Sequence, residues 1–238
     1  MSDLDFWFDP VCPFAWMTSK WVRMVAEQRS YEVRWRFISL RLLNAHVDYD
    51  SHFPPEYEAG HTAGLRLLRV CAQARADHGQ QIVGPLYQAL GTRLWDTGRI
   101  STADQLHHDP HALLDPILSA LALPTSLVFA LEDDSWDELI QQETDTALSL
   151  TGKDVGTPIL HFQPPEGVAF FGPVISRLPE QDRAVELWDH IVGLAGFPGF
   201  AELKRSLREL PQLAALGVAA DQPGRQEDWH GGSRRLKK

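Results

Sequence analysis

The alternation of apolar and polar positions predicts a strand, a helix and a second strand at the start of the chain. The run from Leu4 to Phe8 is rich in aromatic residues, which favours a buried strand. Residues 32–38 alternate, so they predict a strand with one solvated face. Between them, residues 13–28 repeat apolar side chains at helical spacing: Met17, Trp21, Met24 and Val25. A β-α-β opening requires parallel pairing through a right-handed crossover.

The middle of the chain carries an almost purely helical pattern. After a polar loop at residues 45–55, helical periodicity continues from Glu56 to about Ser149. Glycine and proline divide this stretch into predicted helices near residues 56–78, 82–96, 110–122, 124–131 and 135–149. We therefore predict an all-helical domain inserted into an α/β domain.

The α/β pattern returns after these helices. Two short apolar runs at residues 159–162 and 168–171 flank a turn that contains proline and glycine, which predicts an antiparallel hairpin. Two further helices are predicted at 180–194 and 200–210. The stretch that follows them ends in basic residues, and we predict that it forms a flexible tail. The predicted domains are an α/β domain from residues 1–44 and 151–210, a helical insertion at 45–150 and a tail at 211–238.

Charge and composition restrict the partners more than the reaction. A net charge of −10 over 238 residues argues against nucleic acid and anionic membranes as general partners. The first residues lack the basic and apolar regions of a secretory signal, and no stretch has the length of a membrane span. Because the only cysteines are Cys12 and Cys71, there is no disulfide framework, and we expect a reducing, cytoplasmic setting.

Cys12 is the residue around which the chemistry is predicted. It stands where the first strand ends and where Pro13, a favoured first residue of a helix, begins the next element. The free N–H groups and positive dipole end of a helix favour an anion, so we expect a lowered thiol pKa. The alternative is a small buried residue at a turn. Cys71 lies in an apolar helical pattern and is interpreted as a core thiol.

The run FDPVCPFAW resembles the first βα turn of DsbA-like thioredoxin-fold proteins, which normally carry Cys-Pro-x-Cys. More specifically, the stretches DFWFDP, SLRLLN and DVGTPIL…FFGPV resemble mycothiol-dependent reductases of the nitroreductase type. The chain is also similar to 2-hydroxychromene-2-carboxylate isomerases and kappa-class glutathione transferases. Over roughly residues 3–197, the resemblance implies an α/β protein with a thioredoxin fold and an inserted all-helical domain.

The resemblance implies a thiol-dependent oxidoreductase in which Cys12 attacks as a thiolate. Its co-substrate would be mycothiol or another low-molecular-weight thiol, and its substrate a small electrophilic or aromatic compound or a mixed disulfide. Ala15 stands where a resolving cysteine is expected, so a dithiol cycle is excluded unless Cys71 comes within reach. What remains is a monothiol cycle, in which a second small-thiol molecule releases Cys12.

The resemblance also implies that Pro158 follows a cis peptide bond and faces Cys12, and that the backbone of Thr157 binds the thiol ligand. The sequence alone favours a proline that simply starts a strand, because cis bonds are a minority even before proline. Pro13 belongs to the Cys-Pro motif itself. Phe14 and Trp16 flank it and are candidates for stacking on a flat substrate, although Trp16 also suits a core position.

Two residues further along the chain are weaker candidates. Asn44 follows the second strand, where α/β folds open their ligand crevice, but asparagine is also a common turn residue. Tyr57, at the start of the insertion, is a candidate for closing over the pocket. The cluster of His107, His108 and His111 matches no zinc spacing, so no metal is predicted.

Two other functions remain open at this point. One is a transferase or isomerase of the kappa-class kind, in which the small thiol is the nucleophile and Cys12 takes the activating place of a serine. The other is a redox-inactive protein that only binds a ligand. The resemblance leaves the oligomeric state open between a monomer and a homodimer.

Overall fold

The computed structural model describes residues 2–54, 56–97, 101–152, 154–205, 207–219, 221–222, 224 and 226–228. Its centre is a four-stranded sheet in the order β2-β1-β3-β4. The strands are β1 (Leu4–Phe8), β2 (Val33–Phe37), β3 (Ile159–Phe162) and β4 (Ala169–Phe171). β1 pairs parallel with β2 and antiparallel with β3, and β3 pairs antiparallel with β4. The sequence-based assignment of these four strands is confirmed.

Nine α-helices surround the sheet in the described part of the chain. They are α1 (Pro13–Gln28), α2 (Leu40–Leu43), α3 (Tyr49–His52), α4 (Glu56–His78), α5 (Val83–Gly91), α6 (Thr102–His108), α7 (Pro110–Ala120), α8 (Asp137–Thr151) and α9 (Ala184–Ala195). Helices α3 to α8 fall between β2 and β3, so the chain has the predicted α/β fold with a helical insertion. Among the described helices, none combines the length and apolar character that crossing a membrane requires.

Both faces of β1 are buried, which explains its nearly continuous apolar run. Leu4, Phe6 and Phe8 pack into the main core, whereas Trp7 packs on the other face with a smaller cluster that includes Ala147 of α8. The one polar residue of β1, Asp5, is buried but accepts a hydrogen bond from Arg34 on β2 at 2.7 Å. This pairing offsets the desolvation of the carboxylate.

The predicted helix at residues 200–210 is wrong. Leu207–Glu209 instead form a short strand, β5, which pairs antiparallel with β6 (Gln226–Asp228). Leu203, within this segment, is 81% exposed. A short helix depends on burial of its apolar face, and Leu203 does not provide such burial.

Two other segments are helical but not α-helical throughout. Residues predicted as a helix at 124–131 form a 3₁₀ helix, Thr125–Glu132, and the predicted helix at 82–96 ends as a π-helical turn, Thr92–Asp96. Within the predicted tail, Leu213 is buried against the core and Ala214–Leu216 form a 3₁₀ turn. The basic end of that tail, from residue 229, lies outside the described residues.

Candidate active site

Cys12 is the N-cap of α1, directly after β1. Its backbone is extended (φ −91°, ψ 112°), and Pro13 occupies the first turn of the helix. The Sγ atom accepts a hydrogen bond from the Ala15 N–H at 3.4 Å, and the Cys12 N–H donates to the Asp9 carbonyl at 3.0 Å. The sulfur therefore lies where a helix presents its unpaired N–H groups.

The thiol of Cys12 also faces the loop before β3. It donates a hydrogen bond to the carbonyl oxygen of Thr157 at 3.4 Å, across 145 positions of sequence. The Thr157 side chain is held in turn by the Trp7 carbonyl, to which its hydroxyl donates at 3.1 Å. The peptide bond between Thr157 and Pro158 is cis. The structure thus brings together Cys12, Pro13, Thr157 and Pro158.

The expected lowering of the Cys12 pKa is wrong for this arrangement. Burial raises the pKa of the thiol to about 12; the helix N–H of Ala15 opposes this rise, and the nearby charge of Asp9 adds to it. Only 7% of the residue is exposed, so the loss of hydration outweighs the helix terminus. Cys12 is consequently a protonated thiol here, consistent with its donation to the Thr157 carbonyl.

Asp9 is a second titratable group at the base of the same loop. It is fully buried, and burial raises the pKa of its carboxyl group to about 7 against the backbone hydrogen bonds that lower it. One carboxyl oxygen accepts from the Val11 N–H at 3.1 Å and the other from the Leu40 N–H at 2.8 Å. Asp9 therefore ties the Cys12 loop to the start of α2.

The insertion braces the other side of the loop through the π-helical turn. The Trp95 indole donates to the Pro10 carbonyl at 2.9 Å, and Asp96 accepts from the Trp16 indole at 3.2 Å. Trp16 is almost completely buried, and its ring lies so close to α5 that a Cβ on Gly91 would fall 2.2 Å from it. Trp16 is therefore a core residue and not an open stacking surface. Sequence reasoning missed Trp95 and Asp96 because no local pattern marks a contact over 80 residues.

The remaining predicted residues lie at different depths. Phe14 is buried in the main core beside Cys12. Asn44 ends α2, where its side-chain amide donates to the Leu40 carbonyl at 2.7 Å, so it has the structural role that was one of its two interpretations. Tyr57 is 37% exposed and stacks on Phe53 with ring centroids 5.6 Å apart.

Tyr57 belongs to an aromatic cluster that sequence reasoning did not identify. The cluster consists of Tyr49, Phe53, Tyr57 and His61, whose rings contact one another. The Tyr49 hydroxyl and His61 Nδ1 are hydrogen-bonded at 3.0 Å. Burial, with the charge of Arg41 as a second cause, lowers the pKa of His61 to about 4, so its imidazole is neutral at pH 7. The four-residue spacing of Tyr57 and His61 on α4 is the one sequence signal that could have indicated it.

Helix α4, which contains Tyr57 and His61 of this cluster, approaches the Cys12 loop. Gly64, one turn after His61, lies so close to the loop that a Cβ there would be 2.5 Å from the Asp9 carboxyl and 2.6 Å from Val11. Cys71, further along α4, is fully buried, and burial raises the pKa of its thiol to about 12. A group of three or more potential metal ligands is not found in the described ranges.

Comparison with known proteins identifies the family of this chain. The model of the Rv2466c-like family, described as mycothiol-dependent nitroreductase Rv2466c, matches residues 11–205. The chain belongs to the Rv2466c-like family. It is accordingly a thiol-dependent oxidoreductase, and the matched range includes Cys12, Ala15, Thr157 and Pro158.

This Rv2466c-like protein is also similar to individual curated proteins and solved structures. It is 31% identical over 206 residues to uncharacterized protein Rv2286c of Mycobacterium tuberculosis, covering 86% of this chain and 82% of the relative. Probable DsbA oxidoreductase SCO1869 from Streptomyces coelicolor is 13% identical with a TM-score of 0.50, covering 90% and 98% of the two chains. Cytosolic disulfide reductase DsbM from Pseudomonas aeruginosa is 16% identical with a TM-score of 0.48, covering 81% and 99%. The Streptomyces structure supports the DsbA-like fold.

Proposed function

We propose that the protein is a mycothiol-dependent reductase in which Cys12 is the only reacting thiol. The observation that carries the proposal is the residue at the second cysteine position of the motif. Ala15 stands there, fully buried, with its N–H directed at the Cys12 sulfur. The other thiol, Cys71, is enclosed in the core within α4, away from solvent-borne disulfides. A resolving thiol must then come from a second molecule of the small thiol.

The cycle for a mixed disulfide between a substrate thiol and mycothiol has two exchanges. In the first, the Cys12 thiol gives up its proton to solvent and its sulfur attacks the mycothiol sulfur, a Cys12–mycothiol disulfide forms, and the substrate leaves as a thiolate that takes up a proton. In the second, a mycothiol thiolate attacks the bound mycothiol sulfur and releases Cys12, so that mycothiol disulfide is formed. The sum is one mixed disulfide and one mycothiol converted into one substrate thiol and one mycothiol disulfide.

Small aromatic electrophiles are the second substrate class in this proposal. Reduction of a nitro group to a nitroso group takes two electrons and two protons from two thiols, and yields one disulfide and one water. Tyr57 and His61 are on α4, whose Gly64 approaches the Cys12 loop, so the partly exposed Tyr57 and the neutral Tyr49–His61 pair are the proposed aromatic wall with its hydrogen-bonding group. Two free cysteines and a small-thiol co-substrate are in keeping with a cytoplasmic setting, which is part of the proposal.

Trapping of the Cys12 disulfide tests this function. The protein is incubated with oxidised mycothiol and, separately, with oxidised glutathione, quenched with an alkylating reagent and measured by intact mass spectrometry. We expect one mycothiol adduct per chain in the wild type and in Cys71→Ala, and none in Cys12→Ser. Slower labelling by glutathione would identify mycothiol as the preferred thiol.

The same experiment separates the alternatives. With an electrophilic substrate and reduced mycothiol present, a mycothiol–substrate adduct with unmodified Cys12 would favour the kappa-class type of reaction. A Cys12 that reacts with neither disulfide, in a protein that still binds the thiol, would favour a ligand-binding protein without turnover. An adduct located on Cys71 would contradict the proposed role of Cys12.

A further inference from the structure

A cavity of about 340 Å³ lies at the end of α1 opposite to Cys12. It is bounded by Arg23 and Glu27 of α1, by Val33 and Trp35 of β2, by Tyr31 before that strand and by Gln88 of α5. Its volume is at the lower end of the range of about 300–1,000 Å³ that is typical of small-molecule sites. Neither the family assignment nor the chemistry of Cys12 uses this cavity.

Arg23 is held rigidly in the wall of this cavity. Its guanidinium carbon lies 4.1 Å from the centroid of the Trp35 ring, and Nη2 donates to the Gly84 carbonyl at 3.0 Å. Its Nε is buried without a hydrogen-bond partner. These contacts fix the plane of the guanidinium and leave part of its hydrogen-bonding capacity unused.

The guanidinium of Arg23 forms no close ion pair with any residue that the structure describes. No carboxylate oxygen of the described ranges lies within 4.0 Å of its guanidinium, and Glu27, at the rim, is an exposed residue. Burial lowers the pKa of Arg23 to about 10, although the charges of Tyr87 and of Glu27 oppose this shift. A largely enclosed cation whose nearest carboxylate is an exposed one at the rim is poorly compensated, so its presence beside a cavity points to an anion from outside the chain.

We propose that this cavity is a second binding site, which takes a small planar monocarboxylate. The carboxylate pairs with the Arg23 guanidinium, whose planar set of donors matches it in shape. The body of the ligand lies against the apolar and aromatic wall formed by Tyr31, Val33 and Trp35. Because Arg23 is the only cation in this wall, a monoanion is favoured over a phosphate dianion, which requires more donors.

Benzoate is the probe that tests the site, with benzamide as a neutral control of nearly the same shape. Titration of the full chain by isothermal calorimetry, and by fluorine NMR with 4-fluorobenzoate, measures binding without reference to stability. We expect saturable benzoate binding to the wild type, at least tenfold weaker binding of benzamide, and at least tenfold weaker benzoate binding to Arg23→Gln. Arg23→Lys should retain intermediate affinity, because it keeps the charge and loses the planar fork.

Two matched variants complete the design. Glu27→Gln removes a negative charge at the rim and should bind benzoate as tightly as the wild type or more tightly, and Cys12→Ser should bind it unchanged. If Arg23→Gln is poorly folded by circular dichroism, the Arg23→Lys and benzamide results decide alone. Equal binding of benzoate and benzamide, loss of binding in Cys12→Ser, or no binding by the wild type at millimolar benzoate would overturn the proposal.

Discussion

The pKa of Cys12 depends on three surroundings at once: burial of the thiol, the helix N–H groups and the charge of Asp9. The Ala15 N–H favours a thiolate, whereas burial and Asp9 favour the thiol, and the net result is a pKa raised to about 12. The position of Cys12 at a helix start could be predicted from local sequence. The burial that reverses the expected pKa shift could not, because it is created by Thr157 and by helices far away in sequence.

Asp9 should make folding stability depend on pH. Its carboxyl has a pKa raised from 3.8 to about 7 in the folded protein, so the unfolded chain loses this proton first as the pH rises. The stabilising contribution is therefore complete below pH 4, is lost progressively between pH 4 and 7, and is constant above. About three pKa units correspond to a loss of about 4 kcal/mol.

Asp9→Asn cannot titrate and provides the comparison. Urea unfolding of both proteins at several pH values should show that the wild type loses stability relative to the variant between pH 4 and 7. The absolute stability of Asp9→Asn is expected to be lower, because an amide cannot accept both backbone hydrogen bonds. A difference between the two proteins that stays constant with pH would contradict a raised pKa for Asp9.

Helix α4 of the insertion packs against the Cys12 loop, and two of its glycines show how close this approach is. A Cβ at Gly64 would meet Asp9 and Val11 at 2.5 and 2.6 Å, whereas a Cβ at Gly60, one turn earlier, would meet nothing within 4 Å. Both glycines are inside the same helix. The pair therefore separates the helix propensity of alanine from contact with the loop.

Gly64→Ala should destabilise the protein by about 1–3 kcal/mol, because the added methyl group forces α4 away from Asp9. Gly60→Ala should stabilise it by about 0.5–1 kcal/mol through helix propensity alone. Urea unfolding measures both changes. If Gly64→Ala were as stable as Gly60→Ala, the close approach of α4 to the Cys12 loop would be wrong.

The turn that contains Cys12 should still accept a second thiol. The Ala15 N–H lies 3.4 Å from Sγ of Cys12, and residue 15 is the second cysteine position of the DsbA-like motif. In a Cys71→Ala background, Ala15→Cys should form an intramolecular disulfide under mild oxidation, and both free thiols should disappear in a thiol assay. Persistence of both thiols in a folded variant would mean that the turn does not have the geometry of that motif.

Elements with a long or strongly periodic pattern were predicted with their bounds. The helix at residues 13–28 and the helix at 56–78 agree with α1 and α4 at both ends, because each has a continuous buried face that fixes its extent. Elements whose type depends on packing were not predicted. Within residues 200–210, Leu207–Glu209 pair with β6 instead of forming a helix. The π-helical turn Thr92–Asp96 is set by its contacts with Trp16 and Pro10.

At the scale of the whole molecule, Cys12 lies between two parts of the chain that are separated in sequence. The sheet supplies Asp9 and Thr157, and the insertion supplies Gly64, Trp95 and Asp96, each in contact with the Cys12 loop or with Trp16. The order of elements could be anticipated from the sequence, and the proximity of Cys12 to the Thr157–Pro158 loop from the resemblance. Contacts from the insertion, including the Tyr49–His61 pair, required the structure because no local pattern encodes them.

Release of mycothiol from Cys12 tests the single-thiol cycle most directly. The Cys12–mycothiol disulfide is prepared, freed from excess reagent and mixed with increasing concentrations of reduced mycothiol, and release is followed by intact mass spectrometry. The rate should rise in proportion to the mycothiol concentration, be negligible without it, and be the same in Cys71→Ala. Release without added thiol, accompanied by a Cys12–Cys71 disulfide, would contradict a cycle that depends on a second small-thiol molecule.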